Sequence, residues 1–246
     1  MAIKYSFIMP YYNRPELRFS LDSYCDLYGN RDDFEVIIVE DSKNKDNEEL
    51  HNKLLSTIDM YKERLKIRCI IDPKISYNPS SKYNKGTNES SGSILVLTNP
   101  EVPHVSDVLS FIDKSDMSNL YIICACKAMH ISKFGGCFKD SEFKFYMWYQ
   151  HTQHRDVRYH FCTVISKDNY NKIKGFDERY CSGIAYDDDN FVKRVQKAGL
   201  IMLPVDDLVT YHIEHSRNYE INLEEFNRLV EVNRKIWASQ LSTGDF

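Results

Sequence analysis

Residues 3–41, IKYSFIMPYYNRPELRFSLDSYCDLYGNRDDFEVIIVED, hold the pattern that decides the fold. Its two ends, IKYSFIMP (3–10) and FEVIIVED (34–41), are short β-rich apolar runs of the kind that make strands buried on both faces. Between them Leu17, Leu21, Tyr24 and Leu27 recur at the spacing of one helical face. The same alternation continues outward. A second helical pattern, with Leu50, Leu54, Ile58 and Tyr61 on one face, leads to KIRCIID (66–72), then SILVLTNP (93–100) and NLYIICAC (119–126). Strand and helix in alternation predict an α/β fold with a mainly parallel sheet wrapped by helices. Ligands of such sheets gather beyond the carboxyl ends of the strands. Those ends read Pro10-Tyr11-Tyr12-Asn13-Arg14, Glu40-Asp41-Ser42, Asp72-Pro73 and Asn99-Pro100-Glu101, so polar groups converge on one edge.

From Lys127 to His160 the sequence is aromatic, histidine-rich and poorly periodic, which predicts an irregular, partly β excursion carrying binding loops. A strand over 161–165, a short helix after Ser166, a turn at Gly175 and a helix from Asp188 to Ala198 follow. Residues 200–215 read as a strand, a bend and a second strand. Asn222 with Glu225 three residues on marks the start of a last helix. Its apolar stripe of Leu223, Phe226, Leu229, Val230, Val232 and Ile236 should strap it back onto the body. The expectation is one continuous domain over 1–246, with a sheet-based half (1–126), a looser half (127–217) and a C-terminal helix (218–246).

Composition sets outer bounds. At 42% hydrophobic residues a packed core is affordable, and the net charge of −4 disfavours a general nucleic-acid binder. No run nears the ~18 apolar residues of a membrane span, and no secretory leader pattern opens the chain, so a soluble, cytoplasmic protein is expected. Seven scattered cysteines, with no CxxC pair, fit reduced thiols better than a disulfide framework or a cysteine zinc site.

Taken in order, SFIMPYYNRPE, VIIVEDS, KYNKGTNESSGSILVLTNPEV, KIKGFDE, AYDDDNFVKRVQKAG and TYHIEHS resemble the inverting GT-A glycosyltransferases of the family 2 type, from residue 5 to about residue 217. The resemblance implies a Rossmann-like GT-A fold, its second half irregular and acceptor-binding, and a nucleotide-sugar donor held by Pro10, Tyr11, Tyr12, Arg14, Asp41, Lys82 and Asn99. Proline offers no donor of its own, so a strand ending at Pro10 would free the backbone of Tyr11 and Tyr12 for the nucleotide. Arg14 would pair with phosphate. Asp41 matches the N3 proton of uracil and so implies a UDP-sugar; its plain structural role would be to cap the following loop.

The family's Asp-x-Asp element reads Asn99-Pro100-Glu101 here, leaving one carboxylate. Mn²⁺ or Mg²⁺ accepts a single protein carboxylate when phosphates supply other oxygens, so Glu101 is the implied ligand. His212 is the implied second ligand, with His215 as its alternate. Strand alternation puts His212 and Glu214 on one face and Ile213 and His215 on the other. By the same alignment Asp188 is the general base that takes a proton from the attacking hydroxyl, Asp187 touches the acceptor sugar or supports it, and Asp189 is a spacer.

Acceptor choice is expected of 127–160. There Phe143, Phe145, Tyr146, Trp148 and Tyr149 crowd beside His151, His154 and Arg155, and Trp148 is the ring expected at a saccharide. The expected reaction is therefore transfer of a hexose from UDP to a saccharide hydroxyl. Two alternatives stand beside it: a non-catalytic sugar- or nucleotide-binding module with a degenerate metal motif, and a transferase acting on DNA or protein. Nucleotidyl transfer would want a Gly-rich basic loop after the first strand, which PYYNRPE lacks.

Overall fold

Every residue of Tyr5–Tyr11 (β1) and Phe34–Asp41 (β2) is buried in the computed structural model, which describes residues 2–215 and 221–246. Alternate β1 side chains feed two cores: Phe7 and Met9 join one on the first face of the sheet, and Ile8 joins the other. Full burial of such side chains contributes about 1.5–3 kcal/mol each. The chain then runs through Leu17–Tyr28 (α1), Ser42–Asp46 (α2), Glu48–Asp59 (α3), Ile67–Asp72 (β3), Ser80–Glu89 (α4), Ile94–Thr98 (β4), Val108–Ile112 (α5) and Leu120–Lys133 (β5). Glu142–Gln150 (β6), Cys162–Ser166 (β7), Lys167–Lys172 (α6), a 3-10 turn at Glu178–Ser182, Asp187–Lys197 (α7), Ile201–Ile213 (β8) and Leu223–Thr243 (α8) complete it.

The eight strands form one sheet in the order β3-β2-β1-β4-β7-β5-β6, with β8 on β5. β1, β2, β3 and β4 are parallel, and β7 is antiparallel to both β4 and β5. β8 runs parallel to β5. The start of β7 therefore meets the finishing end of β4, with Cys162 opposite Thr98, and the first part of β5, with Thr163 opposite Ile123; Asn99 and Glu101 follow just past β4, and His212 lies near the end of β8.

Five expectations need correction. β1 continues through Tyr11, whose backbone pairs with Glu40, so Tyr11 is a buried core ring rather than a residue freed by Pro10. The second helical pattern stops at Asp59, short of Tyr61. The stretch after Lys127 is more regular than expected: β5 runs on to Lys133 and β6 pairs back on it as a long hairpin, leaving 134–141 and 151–160 outside the strands. Register shifts at Cys126/Lys127, Ala128/Met129 and Ile131/Lys133 break the in-out alternation, which hides the hairpin from a period-two reading. β8 is one strand with an irregularity between Val205 and Val209. The last helix buries Leu229, Asn233 and Gln240, whereas Leu223 is 74% exposed, so α8 is fastened largely by polar groups. The final Ser of TYHIEHS and residues 217–220 lie outside the described residues.

α4 holds the carboxyl edge together through three successive residues. Ser81 Oγ donates to Asp72 Oδ2 at the end of β3 (2.6 Å), Lys82 Nζ lies 2.6 Å from Asp41 Oδ2 at the end of β2, and Tyr83 OH donates to Asn99 Oδ1 just past β4 (2.7 Å). One turn on, Gly86 lets the helix sit close: a β-carbon there would lie 2.5 Å from Ile8 Cγ2 and 2.9 Å from Val39 Cγ2.

Candidate active site at the carboxyl edge of the sheet

Glu101 follows the tip of β4 and is buried, with His212 Nε2 and His215 Nε2 each 3.5 Å from its Oε1. Candidate ligand atoms of the three residues lie within 4.8 Å of one another. The strand ends at Ile213, and Glu214 N bonds to Met129 O, so the chain turns and His215 does not follow the strand's alternation. This corrects the opposite-face reading: both histidines reach the same carboxylate. Burial resists ionisation of Glu101, but the two imidazoles outweigh it and hold the carboxyl far below its usual range. Glu101 Oε2 and His212 Nδ1 are buried without a hydrogen-bond partner. Arg14 Nε stands 3.6 Å from Glu101 Oε2. Two imidazoles and one carboxylate with orphaned polar atoms form a donor set that fits a divalent cation, Mn²⁺ better than Mg²⁺.

His212 is walled by aromatic rings. Tyr149 meets it edge-on at 4.7 Å and Phe161 at 5.9 Å, and those two rings stack on each other. Trp148, expected at the acceptor, instead packs on His151 (4.3 Å) and His154 (5.7 Å), with Lys127 Nζ 5.1 Å from its ring centre. Neighbours in a strand face opposite ways, and it is Tyr149 that turns towards the cluster.

The donor residues fall into two groups. Arg14 and Asn99 stand at the cleft, Asn99 held by Tyr83, whose burial keeps its phenol protonated and donating. Pro10 and Tyr11 are buried within β1, and Tyr12 is half-buried just beyond it. Asp41 has both oxygens engaged: Oδ1 accepts from Lys43 N (2.9 Å) as the cap of α2, and Oδ2 faces Lys82. At 5% and 7% side-chain exposure this pair is shut off from water, where breaking one partner costs about 3–5 kcal/mol. Asp41 thus serves the plain capping role and orients Lys82.

On the other wall, Ala185 and Tyr186 both take left-handed backbone (φ +66° and +65°) and turn the chain into α7. Such residues persist only where the surroundings fix them. Asn233 Nδ2 of α8 does so, donating to Tyr180 O (3.0 Å) and Ala185 O (2.8 Å). Asp187 is buried; burial first, and then the charge of Asp188, raise its carboxyl to about 7. Asp188 is partly open, its side chain 35% exposed, and its Oδ1 lies 2.8 Å from His160 Nδ1. Asp189 accepts from Tyr159 OH at 2.9 Å, so it is more than a spacer. His160 in turn lies edge-on to Tyr83 at 4.9 Å. A continuous run of contacts, Asn99–Tyr83–His160–Asp188, therefore joins the tip of β4 to the acidic wall. Sequence reasoning missed His160, Tyr83 and Tyr149. The histidine richness before residue 161 was the one available signal.

The family model for glycosyl transferase family 2 matches residues 6–173. A search of curated proteins gave no significant match. Solved structures with a similar fold include the mannosyltransferase PcManGT from Pyrobaculum calidifontis in complex with GDP-Man and Mn²⁺, 14% identical over 89% of this chain and 59% of that one, with a TM-score of 0.62. S. aureus TarS 1–349 in complex with UDP-GlcNAc is 16% identical over 92% of this chain and 64% of its own (TM-score 0.61). GalNAc-T7 with UDP, GalNAc and Mn²⁺ is 11% identical over 90% and 45% (TM-score 0.65). This chain thus spans between 45% and 64% of the length of these three, and at such identities the likeness is one of fold. With the family model matching more than half of the sequence and the sheet built as described, the chain belongs to glycosyl transferase family 2 and has the GT-A fold.

Proposed function

We propose that this chain transfers a sugar from a UDP-linked donor to a hydroxyl of a saccharide acceptor, with inversion at the anomeric carbon. The observation that carries the reading is the meeting, on one sheet edge, of a cluster of buried Glu101 and His212 with half-buried His215, and a partly exposed Asp188. Glu101, His212 and His215 would hold the cation. Bound there, a divalent metal supplies charge neutralisation for the departing diphosphate. Arg14, beside the cluster, would pair with a phosphate oxygen, and Asn99 would meet the ribose or sugar. Asp188 takes the proton of the acceptor hydroxyl as its oxygen attacks from the face opposite the leaving group. Asp187, buried behind it, supports that wall.

The uridine choice is supported by the UDP and UDP-GlcNAc held in two of the similar structures; the third holds GDP-Man. Titration calorimetry tests it. UDP should bind with Mn²⁺ and lose affinity on adding chelator, and Asp188→Asn should leave that affinity intact while turnover falls ~10²- to 10⁴-fold. GDP binding tighter than UDP, or indifference to chelator, would overturn the donor assignment.

A further inference from the structure

A carboxylate in the first turn of a helix is drawn back towards the helix's own free amides. A base must instead present one oxygen to the cleft. His160 supplies the opposing pull. It is the second residue before β7, and because β7 runs backwards in the sheet it emerges at the carboxyl edge. Its side chain is 7% exposed, and its ring is gripped edge-on by Tyr83 (4.9 Å) and Phe176 (5.0 Å). Those two rings stack on each other at 4.9 Å, and Phe176 stacks on Phe191 of α7 at 4.0 Å. Packed between these rings, the imidazole stands with Nδ1 2.8 Å from Asp188 Oδ1.

We propose that His160 is the positioning residue of the base, donating from Nδ1 to Asp188 Oδ1 so that Oδ2 is the oxygen turned to the acceptor hydroxyl. The inference rests on the reading of Asp188 as base. An ionised carboxylate only accepts, so Nδ1 must carry the hydrogen. In the reaction the acceptor O–H bond breaks, its proton goes to Oδ2, and the His160 hydrogen stays where it was. Burial opposes an imidazolium at His160, yet Asp188 and, after it, Asp187 favour it strongly enough to raise the group above its ordinary value. The same residue ties the two walls of the cleft, because Tyr83 on its other side holds Asn99.

Two measurements test this. In ¹⁵N-histidine-labelled protein, with His160 assigned from its loss in His160→Asn, the imidazole should carry hydrogen on Nδ1. It should titrate about 1–3 pH units lower in Asp188→Asn than in the wild type, the range for losing an adjacent opposite charge. The second measures release of nucleoside diphosphate with Mn²⁺, using whichever of UDP-glucose, UDP-GlcNAc, UDP-galactose and GDP-mannose the wild type turns over. His160→Leu should lower kcat ~10²-fold, the scale of a slightly misplaced reacting group, with donor KM and Mn²⁺ affinity unchanged. His160→Asn, whose amide nitrogen stands where Nδ1 stood, should restore most of the loss. Asp188→Asn/His160→Leu should be no slower than Asp188→Asn alone, since the two act as a unit. A titration of His160 unaffected by Asp188→Asn, wild-type kcat in His160→Leu, or losses that multiply in the double variant would each overturn the proposal. Wild-type turnover by Asp188→Asn would overturn the base assignment itself, and is read independently of the His160 variants.

Discussion

Asp187 and Asp188 are neighbours with opposite surroundings, the first buried and the second open to the cleft. Because burial, aided by Asp188, raises the Asp187 carboxyl from 3.8 to about 7, the folded chain holds that proton more firmly than the unfolded one. The stability this contributes is complete below about pH 4 and is lost as pH rises through the folded value. Asp187→Asn, which cannot ionise, should therefore melt at progressively higher temperature than the wild type between about pH 4 and pH 7, and parallel melting curves would show that Asp187 is not the titrating group. At the cation cluster the two histidines stand at equal distance from Glu101. His212→Ala and His215→Ala should each weaken Mn²⁺ binding, by at least the ~10- to 100-fold typical of losing an outer partner, in a metal titration. A loss confined to His212 would return His215 to the role of alternate. Glu101 and Asp188 could be singled out in the sequence because NPE at a strand end and DDDNF at a helix start resemble the family's elements at those places. His160 was not, since its place depends on the direction in which β7 runs, and no residue pattern states that direction. The partnership of His215 with His212 was hidden for a related reason: alternation holds only while the strand does, and this one stops at Ile213.

Among the elements, α8 shows how polar residues can do a core's work. Asn233 donates to two carbonyls, that of Tyr180 buried and that of Ala185 part-buried, while Gln240 accepts from Tyr180 OH (2.5 Å) and from Asn190 Nδ2 (2.9 Å). Asn233→Ala should cost about 1–3 kcal/mol by leaving those carbonyls unmatched. For a chain this size that lowers the melting temperature by about 2–4 °C per kcal/mol. Turnover should fall as well, because the Ala185 carbonyl stands two residues ahead of Asp187; Arg234→Ala, on the exposed side of α8, should do neither. The apolar stripe made the existence of α8 readable but not its contacts, which run through amides that a hydrophobicity pattern scores as surface. The opposite failure occurs in the β5–β6 hairpin, where the side chains are strand formers and the register shifts scramble their alternation. Strands β1 to β4 and helix α1 lie within one or two residues of the sequence reading at most boundaries; for β1, β2 and β4 full burial leaves one unbroken apolar run to recognise.

Across the whole molecule the sheet is unevenly enclosed. β1, β2 and β4 are wholly buried, whereas β6 and the tip over 134–141 stand largely open. Amide hydrogen exchange should accordingly be slowest in β1, β2 and β4 and fastest at 134–141. UDP with Mn²⁺ should add protection at the ends of β2 and β4 and little at the hairpin tip, and protection centred on the hairpin would place the nucleotide elsewhere. The sequence reading reached this division between a closed half and an open one through composition, although it took the open half for loops. The grip of α4 on the strand tips carries one more implication. Ser81, Lys82 and Tyr83 fasten β3, β2 and β4 from a single turn of helix, and Gly86 seats that helix on Ile8 and Val39. The tips cannot splay one at a time, so a ligand arriving at this edge meets a wall already in its final shape. Little ordering is left to oppose binding, and a methyl at Gly86 acts as a wedge under all three fastenings at once.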